Sequence, residues 1–243
     1  RRELPIMNGL STGFLSVGFS VGSFVAAPLS DVMGWQNSLA LIGATSIVGL
    51  GALMLFRGIP EASGPTIDSI TVSDIWWAAR SRVTLLLGVG DGAVLALYVA
   101  LTTWLPTYYN EIFGMSLIKA GFIVGLISMA GVVGTMAGSA ISSLTGVRRP
   151  LFIFSGVIVG LFGFGTFILN NEILIYISLI VVGFGAFFYL PVFLTVPMDL
   201  EWIKERQVPV MTATMFAIAS GIALVPPFAV GHMTDSMGTY IPG

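Results

Sequence analysis

Asp91, Tyr98, Thr102 and Tyr109 place a carboxyl and three hydroxyl groups along the run 83–109, VTLLLGVGDGAVLALYVALTTWLPTYY. Their offsets of 0, 7, 11 and 18 fall within about 20° of one direction at 100° per residue. A helix here therefore presents one polar stripe, flanked by Leu95 and Leu105. The run has the length and apolarity of a helix that crosses a membrane. Among 10 Lys and Arg and 12 Asp and Glu, Asp91 is the one expected well inside such a helix. A carboxylate at that depth costs roughly 3 kcal/mol on insertion scales, so it should face a bundle interior or a watery cavity. There it can trade its charge for a proton, and the stripe can line a solvated pathway. The plainer alternative is a helix–helix seam in which Tyr and Thr bond to neighbouring backbone. In that case Asp91 is held by a neighbouring helix N-terminus, or neutralised by Arg80 or Arg82.

Composition sets the class. Of 243 residues, 56% are hydrophobic and 9% charged, and the mean hydropathy is +0.96. A soluble domain carries about 25% charged residues, so the chain reads as an all-α polytopic membrane bundle. No basic patch with interleaved aromatics supports nucleic-acid binding. The sequence has no cysteine and one histidine, so it offers no thiolate, disulfide or metal constellation, and no cofactor is expected. The first residues, RRELPIM, lack the form of a cleavable signal.

Seven spans are expected, at 8–29, 35–56, 83–109, 120–145, 151–169, 173–198 and 208–231. The long connection 57–82 contains Pro60, Gly64 and Pro65, then VSDIWWAARSR, which reads as a short amphipathic helix with Trp76 and Trp77 at headgroup level. Arg1, Arg2, Arg57, Arg80, Arg82, Arg148, Arg149, Lys204 and Arg206 fall on one side of the membrane, and Lys119 alone on the other. The positive-inside rule then puts the N-terminus and that long connection in the cytoplasm.

Small residues recur every fourth position at Gly18, Gly22 and Ala26, at Gly121 and Gly125, and at Gly134, Gly138 and Ser142. They are expected to let helices approach closely. The sixth span contains GFGAFFYLPVFLTVP, where Pro191 and Pro197 should bend the helix beside Tyr189 and Thr195, two further candidates for the path. Pro226-Pro227 marks a second bend. Asp199, Glu201, Lys204, Glu205 and Arg206 read as a solvated loop that could also latch an inner gate. His232 and Asp235 read as interfacial residues.

These features resemble the major facilitator superfamily of secondary transporters, which have twelve helices in two halves and a long cytoplasmic linker. Gly34-Trp35-Gln36 and Ile59-Pro60-Glu61 are similar to the start of that family's sixth helix and the segment after it. Trp104-Leu105-Pro106-Thr107-Tyr108-Tyr109, Gly114-Met115-Ser116 and Ala120-Gly121 resemble the end of the seventh and the start of the eighth. Pro226-Pro227, Gly231, Asp235 and Gly238 resemble the close of the eleventh. GSAISSLTGVRR, from Gly138 to Arg149, is similar to the family's Gly-x-x-x-Asp-Arg-x-Gly-Arg-Arg loop. Ser142 stands where its Asp is expected, so Arg148 and Arg149 serve there as topology determinants or as gate residues.

The resemblance implies a fragment covering helices five to eleven of an MFS-type bundle. Residues 1–57 would close the N-terminal half, 58–82 form the cytoplasmic linker, and 83–243 form a C-terminal half without its last helix. It implies alternating-access transport of a small-molecule substrate, coupled to a proton or ion, in the cell (inner) membrane. The Trp104 segment is more similar to members that move small organic or inorganic anions, although no visible helix holds a Lys or Arg to bind one. A drug or metabolite efflux antiporter is the alternative, weakened because no Gly-Pro follows Gly22. Gly88-Val89-Gly90-Asp91 also matches the Gly-x-Gly-Asp of intramembrane aspartyl proteases, but the span before it offers no second acid. A seven-helix receptor is disfavoured by the charge count, and a rhodopsin by the absence of Lys in the last span.

Overall fold

A computed structural model describes residues 3–55, 70–169 and 171–237. The connection around Ile59-Pro60-Glu61, with Arg1, Arg2, Arg57 and Gly238, lies outside the described residues. Every regular element among them is a helix: α1 (Leu4–Met33), α2 (Trp35–Leu55), α3 (Val72–Arg80), α4 (Arg82–Phe113), α5 (Leu117–Thr145), α6 (Arg149–Ile168), α7 (Glu172–Phe188), α8 (Leu190–Asp199), α9 (Gln207–Ala223) and α10 (Val225–Met237). Six runs are long and apolar enough to cross a membrane: α1, α4, α5, α6, the pair α7–α8 and the pair α9–α10. The other expected span is α2, 21 residues without a charged side chain, which at 1.5 Å per residue covers about 30 Å.

The turns follow from local chemistry. Gly34, Gly114 and Gly146 end α1, α4 and α5 with φ of 81°, 62° and 69°, where a side chain would be strained. Ser116 caps α5 by accepting from the Lys119 N–H at 3.3 Å, and Asn171 caps α7 through Ile173 and Leu174. Both expected bends interrupt the helix by a single residue, Tyr189 and Leu224, each of which keeps helical dihedrals. Pro191 cannot donate into the preceding turn, so the helix stops at Tyr189 and restarts as α8. Pro226 and Pro227 have the same effect after Leu224.

Packing follows the small residues, since lipid gives helices no hydrophobic reason to associate. α5 sits centrally, with α1 along one side and α7 along the other. Against α1 it presents Gly121, Gly125, Thr135 and Ser139; Ser139 Oγ donates to the Pro5 carbonyl at 2.8 Å, and Ser20 Oγ to that of Gly125 at 3.1 Å. Against α7 it presents Gly131, Gly134 and Gly138, whose missing side chains leave room for Phe187 and for the Phe184 and Phe188 carbonyls. One expectation is corrected. Gly18 and Gly22 meet no neighbour within 4 Å. The seam of α1 is Gly9, Thr12, Gly13, Ser16 and Ser20, roughly the opposite side of the helix.

The amphipathic helix expected before α4 is α3. Thr71 holds its first turn by donating its N–H (3.0 Å) and hydroxyl (2.8 Å) to Asp74 Oδ2. Arg206 approaches Asp74 at 3.7 Å, the Trp77 and Trp202 rings meet edge to face at 6.1 Å, and Ala78 is fully buried.

Gly138→Ala should force α5 and α7 apart and cost about 1–3 kcal/mol in thermal or denaturant unfolding of the purified protein. Gly18→Ala should stay within about 0.5 kcal/mol of the parent. The Thr71 hydrogen bonds and Arg206 hold the Asp74 carboxyl below its ordinary value of 3.8. A carboxyl depressed in the folded state stabilises above its unfolded value and loses that contribution as pH falls below about 4. Tryptophan fluorescence should therefore report α3 loosening on acidification, and Asp74→Asn should remove that transition.

Candidate functional site

Asp91 lies on the inner face of α4, 5% exposed, and accepts a hydrogen bond at Oδ1 from the Tyr189 hydroxyl. Each partner is placed by a local feature. Gly92 lets α9 come close, because a Cβ there would stand 3.1 Å from the Ala219 Cα. Tyr189 is the residue of the α7–α8 break, φ −85° and ψ −16°, and its ring packs against Phe152 and Phe193. The carboxyl and the helix break thus form one unit.

That unit borders a cavity of about 380 Å³ between α1, α4, α7–α8 and α9. Asp91, Tyr98, Thr102 and Tyr189 supply its polar groups with Ser23, and Phe19, Phe187 and Phe216 its aromatic faces. Asp91 is the one charged side chain of this lining. A second cavity of about 760 Å³, reaching Asp31, Asn110 and Ser116, shares Ser23 and Thr102 with the first. Together they run from Asp91 toward the end of the bundle where α4 finishes.

The expected stripe is partly cavity lining and partly seam. Tyr98 shares a hydrogen bond of 2.9 Å with Ser128 of α5, and the Thr102 hydroxyl donates to the Tyr98 carbonyl at 2.9 Å. Tyr109 departs from the expectation. It is 1% exposed in the apolar core beside Tyr108 and Phe113, borders neither of these cavities, and its hydroxyl has no hydrogen-bond partner among the described residues.

At the other end of the bundle, where α1 and α4 begin, Thr195 is fully buried and does not border the cavity. Its hydroxyl accepts from Asn8 Nδ2 at 3.1 Å and donates to the Pro191 carbonyl at 2.6 Å, joining α1 to α8. Arg148 forms an ion pair with Asp199, which ties the α5–α6 turn to the end of α8. Arg206 turns to Asp74 of α3 instead, while Arg149 and Glu201 are exposed. Ser142, at the place of the motif's Asp, is buried without a hydrogen-bond partner among the described residues. Sequence reasoning missed Asn8 and Ser128, whose only signal was a polar side chain in an apolar span.

The family model described as Major Facilitator Superfamily matches residues 1–226. The chain belongs to the Major Facilitator Superfamily. Among curated relatives, it is 24% identical over 219 residues to an MFS-type efflux pump of Mycolicibacterium smegmatis, covering 86% of this chain and 50% of that protein. It is 26% identical over 171 residues to a probable galactarate/D-glucarate transporter of Escherichia coli, covering 66% and 36%. It is 24% identical over 273 aligned positions to a probable sulfoacetate transporter of Cupriavidus necator, covering 98% and 60%. The chain thus spans from about a third to three fifths of these relatives. No solved structure matches it.

A superfamily member with several membrane-crossing helices is an integral membrane protein. Within it, Tyr189→Phe should leave the Asp91 acceptor unsatisfied and cost about 1–3 kcal/mol of unfolding stability. Combined with Asp91→Leu, the double variant should fall short of additivity by about 0.5–3 kcal/mol. Simple additivity would mean that the two side chains do not interact.

Proposed function

We propose that the chain is part of a secondary transporter that moves a small solute by alternating access and exchanges a proton at Asp91. One observation carries the reading: a carboxyl in the membrane interior, on a cavity wall, is held by the hydroxyl of a broken helix. Broken helices concentrate at transport sites because their freed backbone is tolerated only in protein or beside a cavity. Protonating Asp91 removes the charge that orders Tyr189, so α8 can shift relative to α7. α8 also holds Thr195 against Asn8, and movement there would open the contact with α1. Tyr98 and Thr102 line the solute path, with Asp31 and Asn110 near its mouth.

In this reading, residues 1–57 end the N-terminal half, 58–82 link the halves, and 83–243 belong to the C-terminal half. The protein sits in the cell (inner) membrane with the start of α1 in the cytoplasm, and Arg148–Asp199 stiffens the cytoplasmic end of α8. A small organic or inorganic anion is favoured by the Trp104 segment and by the relatives named for galactarate/D-glucarate and sulfoacetate. The cavity wall offers hydroxyls and aromatic faces but no Lys or Arg, so the counter-charge would come from the rest of the transporter. A second reading, efflux of a lipophilic organic cation, is favoured by the single carboxyl among Phe19, Phe187 and Phe216, and by the relative named an efflux pump.

The test uses the complete transporter in proteoliposomes, with sulfoacetate, galactarate and tetraphenylphosphonium as probes under an imposed pH gradient. Asp91→Asn should reduce gradient-driven movement to that of protein-free vesicles while leaving exchange of labelled for unlabelled solute. Full gradient-driven movement in Asp91→Asn would contradict the proton role, and the probe that moves decides between the two substrate classes.

A further inference from the structure

A cleft of about 530 Å³ opens where α3 meets α4, lined by Ser73, Trp76, Trp77, Arg80, Ser81 and Trp202. Its depth in the membrane is set by the chain itself. Only Ser81 separates Arg80 from Arg82, the first residue of α4, and the apolar run begins at Val83. Trp202 follows closely on Asp199, the last residue of α8. Both walls therefore stand at the ends of membrane-crossing helices, at the level of lipid headgroups. The transport path makes no use of this cleft.

Its chemistry suits one kind of occupant. Three indoles line it, and indole rings favour the boundary between acyl chains and headgroups. The Arg80 guanidinium lies 5.0 Å from the Trp76 ring centre, and the Arg80 side chain is exposed. Ser81 adds a hydroxyl donor, while the Ser73 hydroxyl is engaged by Thr71 at 2.7 Å. No carboxylate belongs to the lining, and the one acid of α3, Asp74, is engaged by Thr71 and Arg206. Exposed Arg82 follows Ser81 in the chain, and exposed Glu201 precedes Trp202. An exposed cation in an aromatic cleft at headgroup depth is matched by a phosphate that carries acyl chains.

We propose that this cleft binds the headgroup of an anionic phospholipid, with Arg80 on the phosphate and Trp76 and Trp202 against the glycerol and upper acyl chain. A bound lipid would fasten α3 to the start of α4 and to the α8–α9 connection, holding the end of the linker on this part of the bundle.

The test is native mass spectrometry of the complete transporter titrated with phosphatidylglycerol and, separately, with phosphatidylcholine. The parent should retain phosphatidylglycerol preferentially. Arg80→Gln should lower that affinity about fivefold, the effect of roughly one interfacial charge. Arg149→Gln, an exposed arginine at the same end but outside the cleft, should leave it unchanged. Trp202→Ala should weaken both lipids without changing their ratio, a second readout should Arg80→Gln fold poorly. Equal retention by Arg80→Gln and the parent would overturn the site. So would equal losses in Arg80→Gln and Arg149→Gln, which would mean diffuse attraction. Displacement of the lipid by inorganic phosphate would reassign the cleft to a soluble anion.

Discussion

A carboxyl group in the apolar interior needs either a proton or a hydrogen-bond donor, and Asp91 finds its donor in Tyr189. That donor is available because the helix carrying it is broken. An unbroken helix through 172–199 would need a backbone hydrogen bond at Pro191 that proline cannot make. The break and the carboxyl are therefore two sides of one constraint. The rest of the site follows from it: the cavity beside them, the aromatic wall from α1, α7 and α9, and the short α8 that leads to Thr195 and Asp199.

What holds this arrangement together is close approach rather than bulk. Gly131, Gly134 and Gly138 bring the α7 backbone against α5, and Gly88 and Gly92 bring α9 against α4. Hydroxyls of Ser20, Ser139 and Ser155 donate to carbonyls on neighbouring helices, so polar groups inside the bundle act as cross-links. The large exposed apolar residues, such as Phe14, Ile47 and Phe164, are the surface that meets lipid or other helices.

Much of the fold was legible in the sequence, because apolar runs, capping residues and prolines act locally. Gly34, Gly114 and Gly146 end helices close to where the runs end, and interruptions fall at Pro191 and Pro226, although α1 and α4 run on through Pro28 and Pro106. Which face of a helix turns inward was less legible. In α1, small residues at every fourth position point to Gly18 and Gly22, whereas the hydroxyls of Thr12, Ser16 and Ser20 mark the side that α5 covers. In the site, helical spacing sets Asp91, Tyr98 and Thr102 on one side of α4, and all three border one cavity. The same spacing placed Tyr109 on that line, but direction along a helix says nothing about surroundings, and the helix has passed into the aromatic core by that point. The Asp91–Tyr189 and Asn8–Thr195 contacts join residues 98 and 187 positions apart, a separation at which periodicity in one helix carries no information.

On the proposed reading Asp91 exchanges a proton with Tyr189 as its partner, and a protonated carboxyl has an infrared band of its own. Infrared difference spectroscopy of the complete transporter, stepped between neutral and acidic pH, tests it most directly. Proton exchange at Asp91 should give a band from a protonated carboxyl that disappears in Asp91→Asn and moves in frequency in Tyr189→Phe. A band unchanged by both substitutions, or no protonated carboxyl at any pH at which the protein stays folded, would contradict it.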